Sequence, residues 1–325
     1  MRVAVYYRNN DVRLEDRPIP EIGDGEILVK VKASGICGTD VMEWYRIKKA
    51  PRILGHEISG EIVKSNAPQY KPGQRVFVSH HVPCFQCKFC ANGHHTACET
   101  LHTGNYDPGG YSEFIRVPKI NVVHGTYVLP ENMSYEEGTM IEPLACVLRG
   151  QQVIQVKKGQ TVLILGSGVS GLMNIQVARL TGARIIATDM DESRLKKAKQ
   201  YGADEIYHPK DLPSLKAEKV ILCTGALPAL GQAFQSLDRK GTLLLFAIPE
   251  TDIQLPTVDF WRNEMTVTSS YGAAPEDLAK AITLISSGKV DMKDLITHKL
   301  PLEKVQEGFR LVAEAKNSLK VVLLP

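Results

Sequence analysis

The sequence has no strong excess of charge of one sign and no long hydrophobic run. Its 325 residues include 39 basic and 36 acidic side chains, which gives a net charge of +3. A charge this small and mixed does not support binding to nucleic acid or to an acidic membrane, because both need a clustered basic surface. No apolar segment approaches the roughly 18–20 residues that a bilayer-spanning helix needs.

The N-terminal segment 1–8 also lacks the apolar h-region of a secretory signal peptide. We therefore expect a cytoplasmic protein, in which cysteines stay reduced and clustered cysteines more often bind metal than form disulfides. The sequence contains no internal repeat and no low-complexity segment. Its length exceeds that of one ordinary domain, which predicts two.

A glycine-rich stretch, residues 35–60, contains three side chains that zinc accepts as ligands. They are a thiolate at Cys37, an imidazole at His56 and a carboxylate at Glu57. Flanking glycines allow the backbone to turn tightly and to approach a bound ion. Three protein ligands with an open fourth position are typical of a catalytic zinc site, so the stretch predicts one.

Four further cysteines lie close together in the sequence, with gaps of two, two and seven residues: Cys84, Cys87, Cys90 and Cys98. Two-residue gaps let neighbouring sulfur atoms face one ion, and four thiolates suit a closed, tetrahedral, structural zinc. Several histidines share the region, so a mixed ligand set stays open: His80, His81, His94, His95 and His102.

The pattern changes along the chain from short strands and turns to alternating strands and helices after residue 140. The second pattern predicts a doubly wound parallel α/β sheet of six strands, the fifth of them over residues 242–248. The apolar strand Thr161–Leu165 runs into a glycine-rich loop that opens a helix: Gly166, Ser167, Gly168, Val169, Ser170 and Gly171. A strand after a glycine-rich loop and helix, with an acidic residue at its end, is what a dinucleotide-binding unit requires.

That acidic residue is Asp189, 18 positions after Gly171. Its carboxylate would accept hydrogen bonds from an adenosine ribose and repel a 2′-phosphate, which favours NAD over NADP. Arg194, five residues later, could accommodate a phosphate and leaves the preference open.

Taken in order, these motifs resemble the zinc-dependent medium-chain dehydrogenases of the alcohol dehydrogenase superfamily over nearly the whole chain. Segments 35–40, 55–60, 109–114 and 295–298 also match, and Ile141–Ala145 is similar to the sorbitol and threonine dehydrogenase branch. The resemblance implies a GroES-like catalytic domain over residues 1–142 and 273–325, with a structural zinc lobe at 84–98. A Rossmann NAD-binding domain would occupy residues 143–272.

The resemblance also implies roles for individual residues. Cys37 and His56, with Glu57, Glu142 or both, would hold the catalytic zinc. Asp40 would orient the zinc histidine, and Thr39 would take the proton of the substrate hydroxyl.

One position departs from the pattern of these dehydrogenases. Many relatives have a histidine five residues after the zinc cysteine, where this chain has Met42. We expect Glu43 or solvent to replace it in proton transfer.

The leading hypothesis is therefore an NAD-dependent dehydrogenase of a polyol or another secondary alcohol, with two zinc ions per subunit. Oxidation of a hydroxy amino acid such as threonine is the alternative, and a non-catalytic zinc- and nucleotide-binding regulator is a remote one. A homodimer or homotetramer is the family-based expectation.

Overall fold

The computed structural model describes residues 1–325. Its strands are β1 Arg2–Arg8, β2 Asp11–Asp16, β3 Ile27–Ile36, β4 Arg52–Ile53, β5 Glu57–Ser65, β6 Arg75–Ser79, β7 Phe114–Val117, β8 Thr126–Val128, β9 Thr161–Leu165, β10 Arg184–Thr188, β11 Glu205–Tyr207, β12 Ala217–Leu222, β13 Leu237–Leu245, β14 Thr266–Ser269, β15 Ile296–Pro301 and β16 Lys320–Leu324. Its α-helices are α1 Glu43–Arg46, α2 Lys88–Ala91, α3 Glu99–Thr103, α4 Lys119–Gly125, α5 Tyr135–Gly138, α6 Ile141–Val153, α7 Val169–Thr181, α8 Glu192–Gln200, α9 Leu227–Ser236, α10 Thr257–Asn263, α11 Pro275–Ser286 and α12 Val305–Glu314.

These elements form two units, one of Met1–Ala145 with Gly272–Pro325 and one of Cys146–Tyr271. The first unit is built on a seven-stranded sheet in the order β15, β16, β3, β5, β6, β8, with β7 also paired to β3. The final strand β16 runs antiparallel to the end of β3 and pairs Val322 with Gly35. This pairing places the C-terminal strand next to the residues that precede Cys37.

The core of the first unit follows from the alternation of its strands. Inward-facing Val29 and Val31 on β3 belong to the same fully buried cluster as Ile58 and Ile62 on β5. A second cluster packs α12 through Phe309 against β1 and β16. The rigid sheet that results holds the ends of β3 and β5 in place.

The second unit has six parallel strands in the order β11, β10, β9, β12, β13, β14. This order reverses direction beside β9 and confirms the doubly wound sheet predicted from the alternating pattern. The central strands β9 and β12 are mostly buried, as expected of strands covered by helices on both faces.

The strand expected over residues 242–248 differs from the observed β13. The pairing with β12 jumps from Leu237 to Thr242, so residues 238–241 leave the ladder as a bulge. Lys240 lies in that bulge with a φ of 57°, a conformation that apolar periodicity does not encode. The regular strand then ends at Leu245, three residues before the predicted boundary.

No helix in the chain is both long enough and apolar enough to cross a bilayer.

Candidate active site

The ends of β3 and β5 bring Cys37, His56 and Glu57 together. Cys37 directly follows β3, and Glu57 opens β5, where it pairs with Gly35 of β3. One potential ligand atom from each of the three side chains lies within 4.8 Å of the other two. Residues 20 positions apart in sequence therefore face one point because their strands are neighbours.

Cys37 is held by the short 3-10 helix Gly38–Val41, which it caps. Its Sγ accepts a hydrogen bond from the Thr39 backbone N–H at 3.4 Å. In return, Asp40 Oδ2 accepts the Cys37 backbone N–H at 3.3 Å. This reciprocal capping fixes both the thiol and the Asp40 carboxylate relative to the end of β3.

Asp40 is completely buried and lies between several polar groups. Tyr111 donates its hydroxyl hydrogen to Asp40 Oδ2 at 2.6 Å, and His56 Nδ1 is 3.6 Å from Asp40 Oδ1. With Nδ1 facing the carboxylate, Nε2 is the His56 nitrogen available to a metal.

The negatively charged groups around His56 favour a positive charge on its imidazole ring. Burial lowers the pKa of His56, but the charges of Asp40 and Cys37 outweigh burial and raise this pKa to about 10. A thiolate, an imidazole and a carboxylate in a negative environment fit a zinc ion, which these three residues would hold. Glu142 is also buried and contributes to the raised pKa of His56, but it is not part of the three-residue group.

The hydroxyl group of Thr39 points to the same place. It donates to Cys37 Sγ at 3.2 Å and accepts a hydrogen bond from the Arg46 guanidinium at 3.0 Å. Glu43 lies on the exposed start of α1, where its carboxylate accepts the backbone N–H of Asn9 at 2.8 Å. The contact seen at Thr39 therefore comes from Arg46, and the relay role of Glu43 stays a prediction.

Two histidines lie close to His56. The ring centroid of His80 is 4.9 Å from that of His56 and 3.6 Å from that of His81. His80 is 7% exposed, and its Nδ1 has no hydrogen-bond partner. Burial lowers the pKa of His80 well below its usual value, so its imidazole is neutral and can donate or accept a hydrogen bond.

The four-cysteine segment also converges on one point. The Sγ atoms of Cys84, Cys87, Cys90 and Cys98 all lie within 4.8 Å of one another. Cys84 and Cys90 are 4.0 Å apart, and Cys87 and Cys90 are 3.6 Å apart. Four thiolates around one zinc at a bond length of about 2.3 Å would be about 3.8 Å apart, so the group fits a zinc ion.

Backbone amides favour a thiolate at Cys98, whereas burial and its cysteine neighbours raise the pKa of Cys90 to about 12. Burial raises the pKa of Cys98, but N–H groups of Cys84 and Leu101 lower it more strongly, to about 6. The Cys84 N–H lies 3.3 Å from Cys98 Sγ.

In the second unit, the glycine-rich loop joins β9 to α7 as the sequence predicts. A Cβ at Gly171 would collide with the Gly166 carbonyl oxygen, so the first helical turn can approach the strand only without a side chain there. Ser167 N–H donates to Asp189 Oδ2 at 2.7 Å, which ties the loop to the end of β10. Gly168, Val169 and Ser170 form the start of α7, where free N–H groups suit a phosphate.

Asp189 also accepts the N–H of Asp191 at 2.9 Å through Oδ1. Each carboxylate oxygen has a second lone pair, so Asp189 can still accept a ribose hydroxyl. The Arg194 guanidinium lies 3.9 Å from the point that a Cβ on Gly168 would occupy. Both residues are therefore placed beside the loop.

Three residues at the zinc site were not singled out from the sequence: Arg46, His80 as a neighbour of His56, and Lys320. Lys320 pairs with Glu57 while almost fully buried. The sequence contained one sign of the buried position of Lys320, because this lysine opens a strand that is otherwise apolar. Nothing in the sequence pattern distinguishes Arg46 from the basic residues that follow it.

Comparison with known proteins agrees with this geometry. The "Alcohol dehydrogenase GroES-like domain" family matches residues 23–130, and the "Zinc-binding dehydrogenase" family matches residues 170–287. The chain is 33% identical to a probable D-xylulose reductase A of Aspergillus clavatus, over 94% of this chain and 92% of that protein. It is 32% identical to sorbitol dehydrogenase of Gallus gallus, over 98% and 95% of the two chains.

Among solved structures, an alcohol dehydrogenase from Escherichia coli CFT073 complexed with NADH superposes with a TM-score of 0.88 and 27% identity. The match covers 100% of this chain and 99% of that one. The two domain families, the near full-length relatives and the shared fold lead to one conclusion. This chain belongs to the zinc-dependent medium-chain dehydrogenase family of the alcohol dehydrogenase superfamily.

Proposed function

We propose that this protein oxidises a secondary hydroxyl group of a polyol to a ketone, with NAD as hydride acceptor and zinc as its metal. The observation that carries the proposal is the grouping of Cys37, His56 and Glu57 beside the Thr39 hydroxyl. Three protein ligands leave zinc one position for a substrate oxygen. Similarity to sorbitol dehydrogenase and xylulose reductase supports a polyol as that substrate.

When bound, zinc would lower the pKa of a coordinated hydroxyl, and NAD would accept hydride from the adjacent carbon. Thr39 Oγ1 takes up the proton that leaves the substrate hydroxyl and at the same time releases its own hydrogen towards solvent, so the Thr39 hydroxyl stays neutral. Asp40 faces His56 Nδ1 at 3.6 Å, which would leave Nε2 to a bound zinc ion. The alcohol thus loses one proton and one hydride, and NAD becomes NADH.

The environment of His80 is a second argument for a substrate with more than one hydroxyl group. Its neutral imidazole has a buried nitrogen without a partner next to the His56 ring. A buried polar atom is costly when unpaired, so a second substrate hydroxyl would be favoured here over a methyl group.

We infer further that Glu57 is the direct third zinc ligand, while Glu142 contacts the metal through water. The position of Glu57 in the three-residue group, and of Glu142 outside it, supports this assignment. Glu57→Gln should then weaken zinc binding more than Glu142→Gln does in a chelator competition. Equal effects would contradict the assignment. If Glu43→Gln leaves the rate and its pH profile unchanged, Glu43 has no relay role.

The two alternatives are less well supported. Oxidation of threonine is not favoured, because sorbitol dehydrogenases and xylulose reductases recur among the relatives. A non-catalytic regulator has no need of a zinc site with an open fourth position or of a hydroxyl group 3.2 Å from the zinc cysteine.

A homodimer or homotetramer in the cytoplasm is part of the proposal. The outer strand β14 pairs only with β13, and Trp261 on the neighbouring helix α10 is 79% exposed. An open strand edge beside an exposed apolar side chain is typical of a surface that another subunit covers. Sedimentation of the purified protein as a monomer at micromolar concentration would contradict this part.

The deciding experiment measures NAD reduction by the purified, zinc-loaded protein on polyols, sugar acids, simple secondary alcohols and threonine. Cys37→Ser should abolish activity, while Cys146→Ser, which alters a half-buried thiol outside both cysteine groups, should retain it. Activity on polyols that disappears in Cys37→Ser is the expected result. Exclusive oxidation of threonine, or no oxidation by a protein that still binds NAD, would overturn the proposal.

A further inference from the structure

The Arg46 guanidinium contacts two residues of the proposed zinc site, Thr39 and Asp40. Its Nε donates to the Thr39 carbonyl oxygen at 2.9 Å, and its Nη2 donates to Thr39 Oγ1 at 3.0 Å. The same Nη2 is 3.1 Å from Asp40 Oδ1. The Arg46 side chain is only 17% exposed, so these contacts are partly shielded from water.

The contacts to Thr39 form a fork that fixes both its backbone and its side chain. A threonine hydroxyl has two acceptor lone pairs and one hydrogen, and Thr39 donates that hydrogen to Cys37 Sγ. Arg46 occupies one lone pair, which leaves the second lone pair of Oγ1 to accept a proton from the substrate. The planar guanidinium can make both bonds together, whereas a lysine ammonium is a single point charge.

The contact to Asp40 balances a charge that water does not reach. Asp40 is completely buried, and a buried carboxylate without a compensating cation is costly. Arg46 is permanently protonated, so it can hold this charge and the Thr39 rotor but cannot carry the proton itself. The neighbouring Met42 has no exchangeable side-chain proton either.

We infer that Arg46 is a positioning residue for proton removal: it orients Thr39 through one hydrogen bond to the hydroxyl group and one to the backbone carbonyl, and its charge neutralises Asp40 next to His56. The inference rests on the proposed function, because it assigns Arg46 a task in the same reaction.

The test compares Arg46→Met, Arg46→Lys and Arg46→Ala with the control Arg75→Met. Arg75 is also half-buried and donates to backbone carbonyls, at Glu131 and Met133, but has no contact with Thr39 or Asp40. Misplacement of a reacting group by about 1 Å can cost roughly 100-fold in rate, so we expect about that loss of kcat in Arg46→Met with an unchanged KM for NAD. Arg46→Lys should recover little, since it restores the charge but not the fork.

Added guanidinium should restore kcat of Arg46→Ala in a saturable way, and ammonium should not. Bound zinc, measured by chelator competition, should be unchanged in Arg46→Met. Normal kcat in Arg46→Met would overturn the inference. Loss of zinc in parallel with activity would also overturn it, because Arg46 would then be a structural support of the metal site.

A readout without turnover separates this inference from the proposed function. In protein labelled with ¹³C at threonine methyl groups, Arg46→Met should shift and broaden the Thr39 resonance, and Arg75→Met should leave it unchanged. If wild type oxidises no alcohol, the proposed function fails, and the methyl spectrum still decides whether Arg46 fixes Thr39. An unshifted Thr39 resonance would overturn the inference.

Discussion

Lys320 and Glu57 form a buried ion pair across Gly35. The Lys320 ammonium contacts Glu57 Oε2, and the side chains are 3% and 1% exposed. Gly35 pairs with Glu57 of β5 on one side, while β16 with Lys320 runs along its other side. The absence of a side chain at Gly35 is what lets the two charged groups meet over β3.

Replacing Lys320 by methionine should strongly destabilise the fold. Burial lowers the pKa of Lys320, but Glu57 and Cys37 raise it above its usual value. The stabilisation from the charged lysine is therefore fully present below pH of about 10.4 and is lost only as the pH rises through the higher folded pKa. We expect Lys320→Met to lower the free energy of unfolding of the zinc-free protein by about 3–5 kcal/mol in urea denaturation at neutral pH, because Glu57 then has neither the lysine nor a metal ion as a partner.

Two comparisons test this reason. The double variant Lys320→Met with Glu57→Gln should be more stable than Lys320→Met, since no buried charge is left alone. Lys299 on β15 is half-exposed and pairs with Glu136 on α5. Its replacement by methionine should lower the free energy of unfolding by only about 0–1 kcal/mol. A cost for Lys320→Met no larger than that of Lys299→Met would contradict the prediction.

Gly35→Ala should separate the same ion pair. A Cβ at Gly35 would overlap Glu57 Oε2 and lie 2.7 Å from Lys320 Cε, and Glu57 is also a proposed zinc ligand. We expect a loss of about 1–3 kcal/mol of unfolding free energy from overpacking, together with weaker zinc binding. Gly38→Ala, on the other side of Cys37, meets no atom within 4 Å and should change stability by less than about 0.5 kcal/mol. Equal zinc affinities in the two variants would contradict the expectation.

The sequence predicted the architecture better than it predicted the neighbours of the zinc site. The glycine-rich loop and the six parallel strands follow from local periodicity, because each segment shows this pattern in its own residues. The contacts of Lys320 with Glu57 depend on strand pairing across 263 positions. Arg46 reaches Thr39 through a turn whose side-chain directions no periodic pattern encodes. Met42 stands out in the sequence as an unusual residue at the relay position, and the role of Glu43 in its place stays a prediction.

Zinc removal should expose the thiols of the four-cysteine segment. Cys84, Cys87, Cys90 and Cys98 would be shielded by one metal ion, because thiolates bound to zinc react slowly with disulfide reagents. After treatment with a strong chelator we expect four additional thiols per chain to titrate, plus Cys37 if the catalytic zinc also leaves. Reaction of all four before chelation would show that the segment holds no zinc.

Replacing His80 by phenylalanine should change substrate preference more than overall activity. The variant keeps a ring against His56 and removes the nitrogen that we propose for a second hydroxyl. Loss of one such hydrogen bond, about 1–3 kcal/mol, should lower kcat/KM for a polyol relative to 2-butanol by roughly tenfold or more. An unchanged ratio in steady-state assays would remove His80 from substrate recognition.

Asp189 should set the preference for NAD, and Asp191 should not. Both carboxylates accept backbone N–H groups at the end of β10, but Asp191 is the N-cap of α8 and bonds Ser193 and Arg194. Asp189→Ser removes the charge that would repel a 2′-phosphate, so it should raise the KM for NAD and lower that for NADP, with Arg194 close by. Asp191→Ala should cost about 1 kcal/mol of unfolding free energy through the lost cap and leave the ratio of the two KM values unchanged. If Asp191→Ala shifted the nucleotide preference as far as Asp189→Ser, the discrimination would come from the fold of the turn, and the Asp189 carboxylate would have no specific part in it.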